Sequence, residues 1–359
     1  VSVALYIHYR KTGDPRASVA KERLLRLLDR IRSIHCETWG KIALLRACDR
    51  LQKSGLWNDL PAEYRDMIRE KTTYDDFFDR RTMTLIHKPT NYLQVAMTCA
   101  GYREKFGWDE AGMCDRIAKT LFSVMKGGSS SGYMDEEPPY GRFDRYSLLV
   151  GSEMSDNLME LGREMPEFAK NNLQKAAEFC LFSANRRGDG INYGRSLSCH
   201  GDGASAEILS SALARGYLPE NFEGTALAYI LRVVEKILTV WYDQKRGMFN
   251  IWLDGRATNG YRGIVRLLEV NADMAVHLLT VFLNLEVAGL ADTAPTAVIP
   301  SPATWQVKEE VFLDTPDRHL ETVLLRRGDL SLMLPLVGPG SWYDKTAYQP
   351  FPALCGVLE

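Results

Sequence analysis

From Ala17 to about Leu290, apolar residues recur at helical spacing in runs of roughly 12 to 25 residues, separated by polar or glycine-containing breaks. The pattern predicts an all-α region with helices over 17–34, 38–54, 61–70, 91–106, 110–125, 143–162, 166–184, 202–215, 223–242 and 262–288. Pro61, Pro166 and Pro219 stand at helix starts, where a missing N–H loses no bond. So many consecutive helices with connections of uneven length point to a layered helical array, either a solenoid or a closed toroid of helical hairpins. No repeat of fixed length is visible, which disfavours the solenoid.

After Leu290 the pattern changes. Residues 291–303 are rich in Pro, Thr and Ala, and then come runs of strand character, Glu310–Leu313, Glu321–Arg326 and Leu330–Leu334. The expected organisation is a helical domain over 1–290, a linker over 291–303 and a β-rich segment over 304–359. The strands are too few for a self-sufficient sheet domain, so part of a β-sandwich packed on the helices is expected.

Composition narrows the function. Of 359 residues, 45% are hydrophobic and 25% charged, with a formal net charge of −2. That balance describes a folded globular chain without the basic footprint of nucleic-acid binding. No apolar run approaches the roughly 20 residues that span a bilayer, so no membrane partner is expected. Val1 to Tyr9 lacks the charged start and small-residue cleavage site of a secretory signal, so no compartment is encoded there. The seven cysteines form no CxxC pair and mostly sit in apolar runs, which reads as buried thiols rather than a metal site or a disulfide framework.

Three loops gather the residue types of a binding site. The stretch from Gly188 to Ala204 places Tyr193, Arg195, His200, Asp189 and Asp202 among glycines that permit sharp turns and close approach to a ligand. Residues 132–146 combine Asp135, Glu136 and Glu137 with Tyr133, Tyr140, Arg142, Asp144 and Arg145. Residues 250–266 carry Trp252, Arg256, Tyr261 and Arg262 together with Asn250 and Asn259. Aromatic platforms with planar Arg and Asn groups suit a ligand rich in hydroxyls and carboxylates, so a poly- or oligosaccharide is the expected partner. The three loops are expected to converge.

The order of motifs adds a resemblance. Helical pairs, then Tyr133-Met-Asp-Glu with Gly141-Arg-Phe-Asp-Arg-Tyr, then Asp189-Gly-Ile-Asn-Tyr-Gly-Arg-Ser-Leu-Ser, then a β-rich tail, resemble the heparinase II/III-like and alginate-lyase-like polysaccharide lyases. The segment Tyr193-Gly-Arg-Ser-Leu matches the pattern of a related toroid family. This resemblance implies a mainly α fold, an incomplete (α/α) toroid of helical hairpins followed by a short β-rich part. It also implies β-elimination at a uronic acid: the carboxylate is neutralised, a Tyr or His removes the C5 proton and a Tyr protonates the departing oxygen. His200, Tyr261 and Tyr193 are then the catalytic candidates. Asn91, Tyr140, Arg142, Arg145, Arg195, Trp252 and Arg262 are the substrate-binding candidates, with no metal and no cofactor. Such lyases often place Asn directly before the His, whereas Cys199 precedes His200 here; Asn91, at a helix start, is the candidate for the missing amide, or else an N-cap.

Two other readings compete. A glycoside hydrolase of glucuronidase or unsaturated-glucuronyl hydrolase type needs two acids across the scissile bond, and Asp135, Glu136, Asp144, Asp189 and Asp202 are the candidates. A non-catalytic glycan-binding protein needs the aromatics and arginines alone. The other five histidines, including His277, read as structural. No HExxH, GxSxG, Walker loop or dinucleotide fingerprint is present.

Overall fold

The computed structural model describes residues 2–36, 38–195, 197–249, 263–338, 348–349 and 353–355; for Arg195 and for 263–270, 348–349 and 353–355 it gives the backbone course alone. Eleven α-helices dominate the described residues. They are α1 (Ser2–Thr12), α2 (Ala17–Arg32), α3 (Thr38–Lys53), α4 (Ala62–Lys71), α5 (Tyr92–Lys105), α6 (Met113–Gly128), α7 (Arg145–Glu160), α8 (Glu167–Ser183), α9 (Cys199–Arg215), α10 (Glu223–Lys236) and α11 (Gly263–Val287). The ten helices expected from sequence are present, mostly within three residues at each end, and α1 is added before them. The last turn expected of α10 is instead a π-helical turn, Ile237–Trp241.

Residues cluster into two compact units, 1–121 and 122–359. In the first, α1 packs on α2 and α3, and α3 packs on α5. Tyr6, Leu24, Leu28, Cys48, Leu51 and Ile68 form the heart of its core. A two-residue hairpin, β1 (Phe78–Asp79) with β2 (Thr84–Leu85), lies between α4 and α5.

In the second unit the contacts fix the direction of each helix. Arg145 reaches His200 while Asp156 reaches Ser211, so α7 and α9 run parallel. His277 reaches Glu207 and Asn284 reaches Ser210, so α11 runs parallel to α9 as well. Lys236, at the end of α10, meets Asp202 in the first turn of α9, so α10 runs back. Helices α7, α9 and α11 thus run parallel, with α10 antiparallel to them. Helix α9 is their centre: it packs on α7, α8, α10 and α11, and every residue from Cys199 to Leu213 is buried.

The β-rich tail is a small antiparallel sheet of three main strands, β6 (Gln306–Thr315), β7 (Arg318–Arg327) and β8 (Leu330–Leu336), with β10 (Ala353–Cys355) beside β8. Four further two-residue strands complete the β structure of the described residues: β4 (Tyr242–Asp243) pairs with β5 (Met248–Phe249), and β3 (Gly194–Arg195) pairs with β9 (Tyr348–Gln349). Period-2 alternation puts Glu310, Phe312, Thr322, Leu324, Arg326, Ser331 and Met333 on the covered face. The ladder shifts register between Val311 and Leu313, and Phe312, at this bulge, enters the core between Phe143 (stacked, 4.9 Å between centroids) and Tyr133 (edge-on, 5.1 Å). Its carbonyl accepts from the Ser129 hydroxyl. The sheet is thereby built into the same core as the helices.

Candidate functional site

The site begins where α7 and α9 start, side by side. Asp144 caps α7, accepting from the Tyr146 N–H at 2.8 Å in a capping box with Ser147. One residue on, Arg145 donates from Nη1 to the carbonyl of His200 at 3.2 Å. The loop before α9 comes back onto the same cap: Gly194 has φ +88°, and a Cβ there would lie 2.4 Å from the Asp144 Cβ. Two of the three loops expected to converge, 132–146 and 188–204, are thus joined; 250–262 lies outside the described residues.

Arg145 is the unusual group. It is 2% exposed, and its guanidinium lies 4.1 Å from the centroid of the Tyr146 ring. Among the described residues no carboxylate forms an ion pair with it, and its Nε is buried without a hydrogen-bond partner. Guanidinium does not deprotonate, and a buried charge without a counter-ion costs several kcal/mol. Such an arrangement suits an anion delivered from outside.

His200 meets this cation through its backbone carbonyl, while its ring lies toward α11. It is buried in the first turn of α9, with Nδ1 3.7 Å from the Asp273 carboxylate of α11. Ser198, just before the helix, holds φ 64° and ψ −128°, a strained conformation for a non-glycine residue, and its carbonyl accepts the N–H groups of Gly201 and Asp202.

The glycines of the loop serve the chain itself rather than a ligand. A Cβ at Gly201 would lie 1.9 Å from the Ile191 carbonyl oxygen, one at Gly190 2.3 Å from the Gly201 oxygen, and one at Gly188 2.9 Å from the Arg232 oxygen. Backbone fills the space that the sequence reading reserved for a bound molecule.

Most of the candidate acids are also engaged. Asp135 accepts three backbone N–H groups of its own loop, from Glu137, Gly141 and Arg142, at 2.9 to 3.0 Å. Asp189 and Asp202 are bridged by Lys236 Nζ, at 2.7 Å and 3.0 Å, and Asp202 also accepts from Gly190 N–H and Trp241 Nε1, each at 2.8 Å. Burial opposes the Lys236 charge, but the two carboxylates outweigh it and hold the ammonium above its ordinary range. Burial pushes Asp202 up, against the pull of Lys236 and Trp241. Glu136 is buried, with its N–H on the Arg142 carbonyl at 3.0 Å.

Among the remaining candidates, Tyr193 is fully buried, its ring 6.4 Å from Phe179. Arg142 lies 3.5 Å from both Glu137 and Asp144. Tyr140 is 53% exposed, on a loop whose carbonyls at Pro139 and Tyr140 accept from Arg318. Arg195 pairs through its backbone with Tyr348. Trp252, Tyr261 and Arg262 lie outside the described residues. In the first unit, Asn91 occupies the N-cap position of α5 but makes no capping bond, and its Oδ1 is buried without a hydrogen-bond partner among the described residues.

Lys236, Trp241, Asp156, Glu207, Asp273 and Asn284 carry no motif that marks them in the sequence, and His277 reads there as structural. A signal was present: 200, 203, 207 and 211 on α9, and 273, 277 and 284 on α11, recur at the three-, four- and seven-residue steps of one helix face. Among the described residues no group of three or more His, Cys, Asp and Glu side chains is arranged to hold a metal ion. No protein-family model, no curated protein and no solved structure matches the chain.

Proposed function

We propose that the chain is a carbohydrate-active enzyme that cleaves a uronic-acid-containing glycan by β-elimination, and that its parallel helices, with α10 running back, are part of an incomplete (α/α) toroid. The observation that carries this reading is Arg145, a buried guanidinium without a carboxylate partner among the described residues, donating to the carbonyl of His200. A substrate carboxylate seated on Arg145 would be neutralised, which makes the C5 proton acidic, and the imidazole of His200 is the group proposed to take that proton. The Asp273 carboxylate, 3.7 Å from Nδ1, favours a proton on that nitrogen. Tyr261 is the proposed acid for the departing oxygen, with Tyr193, whose ring packs near Phe179, as its rival. Hydrolysis draws less support, because Asp135, Asp144, Asp189 and Asp202 each hold a loop, a cap or Lys236.

The test is incubation with a panel of uronate-bearing polysaccharides and oligosaccharides, following ultraviolet absorbance of the unsaturated product together with reducing ends. Both signals are expected to rise, and Arg145→Gln is expected to lower kcat/KM about a hundredfold or more. Reducing ends without absorbance would mean hydrolysis. Binding without either product over long incubation would mean a glycan-binding protein.

A further inference from the structure

A ladder of polar pairs runs along the contact between α9 and α11. Its first rung is His200 on α9 with Asp273 on α11, 3.7 Å apart; the next reverses the roles, with Glu207 on α9 and His277 on α11, Oε2 to Nδ1 at 2.6 Å. Between them His277 lies against Gly203, where a Cβ would meet the ring at 2.8 Å, so the helices approach closely at that turn. Further along, Asn284 donates to Asp156 of α7 at 3.1 Å. All of these side chains are buried except that of Asp273, which is 47% exposed.

Buried polar pairs of this kind fix register. Sliding α11 along α9 by one residue would leave Glu207, His277 and Asn284 buried without their partners, which is costly for each and most of all for a charged one. Apolar contacts alone tolerate such slips far better. Asp273 lies one helical turn before His277 on the same face of α11, so whatever fixes His277 also fixes Asp273.

We propose that Glu207 and His277 are positioning residues, which lock the register of α11 on α9 and thereby hold the Asp273 carboxylate at His200. The consequence for turnover rests on the reading of His200 as the base; the positioning itself does not. The groups that face His277 are Glu207 from α9 and, through Glu207, Asp156 from α7.

The experiment follows the His200 ring by histidine-selective ¹⁵N–¹H correlation spectra across a pH titration, in the parent chain and in Asp273→Asn, His277→Asn and Glu207→Gln. Removing the carboxylate with Asp273→Asn is expected to lower the His200 titration midpoint by about half a unit or more. His277→Asn and Glu207→Gln, which leave Asp273 in place, are expected to produce a shift in the same direction and, where turnover is measured, a several-fold lower kcat with little change in KM. An unchanged His200 midpoint in a folded His277→Asn or Glu207→Gln variant would overturn the proposal, and so would an unchanged midpoint in Asp273→Asn. If Glu207→Gln fails to fold, His277→Asn decides alone, and if both fail, the milder His277→Gln, which leaves Asp273 in place, decides. Shifts in all three without any elimination activity in the parent chain would sustain the positioning role and remove the lyase reading.

Discussion

Asp156 is the residue whose surroundings make the clearest claim about solution behaviour. Burial and then the neighbouring Glu207 push its carboxyl up to about 7, against the pull of Asn284, Ser211 and Arg215. In an unfolded chain the same group titrates near 4. The folded state therefore holds more protons between about pH 4 and pH 7, and the stability that this group contributes is present at the acidic end and lost as pH rises through 7. Asp202 and Glu310, also pushed up by burial, act in the same direction. Urea midpoints are expected to fall between pH 5 and pH 7.5, and Asp156→Asn, which keeps the shape without the charge, is expected to reduce that fall. An equal pH dependence in parent and variant would show that Asp156 is not the group responsible. At the residue scale, the meeting of loops 132–146 and 188–204 was legible, since Arg145 reaches the backbone carbonyl of His200. Partner choice was not legible, because the same Asp can cap a helix, tie a loop or face a ligand, and only tertiary contact decides among them.

For the elements, periodicity was sufficient wherever one face is buried, and so the helices from α2 onward match the ranges read from sequence. Helix α1 escaped because only Tyr6 is buried along it, leaving no apolar stripe to read. The glycines of 188–204 mark a contact between elements, not a cradle. Gly190 and Gly201 let the loop cross the first turn of α9 with backbone against backbone, and Lys236 and Trp241 then clamp Asp189 and Asp202 from α10 and its π-helical turn. A methyl group at 201 has no room, since it would meet the Ile191 oxygen at 1.9 Å and the surrounding atoms are backbone. Gly201→Ala is expected to cost at least about 2 kcal/mol, within the range for forced overpacking, and to displace His200. A thermal transition shifted down by several degrees would agree. An unshifted transition with native His200 signals would show that this crossing is looser than the contact implies.

At the scale of the whole molecule, the second unit joins two kinds of structure that sequence composition separates at Leu290. The join has a specific anchor. Phe312 turns inward at the β6 bulge, stacks on Phe143 at an interplanar angle of 4°, and gives its carbonyl to Ser129, while Tyr133 beside it donates to Glu310 at 2.8 Å. Phe143 directly precedes the Asp144 cap, and Arg145 follows it, so the ring stack supports the backbone from which the buried guanidinium projects. The sheet thus acts as a brace behind the candidate site. Truncating Phe312 to Ala removes a fully buried ring and leaves a cavity against two aromatic faces, which is expected to cost about 3–5 kcal/mol. The loss is expected to fall beyond stability as well: with the brace gone, amide exchange in 133–146 is expected to quicken more than in α10, which lies away from the stack. Exchange that quickens equally throughout the unit would mean that the ring contributes to global stability without bracing the site. Exchange that quickens first at 133–146 would tie the sheet mechanically to Arg145.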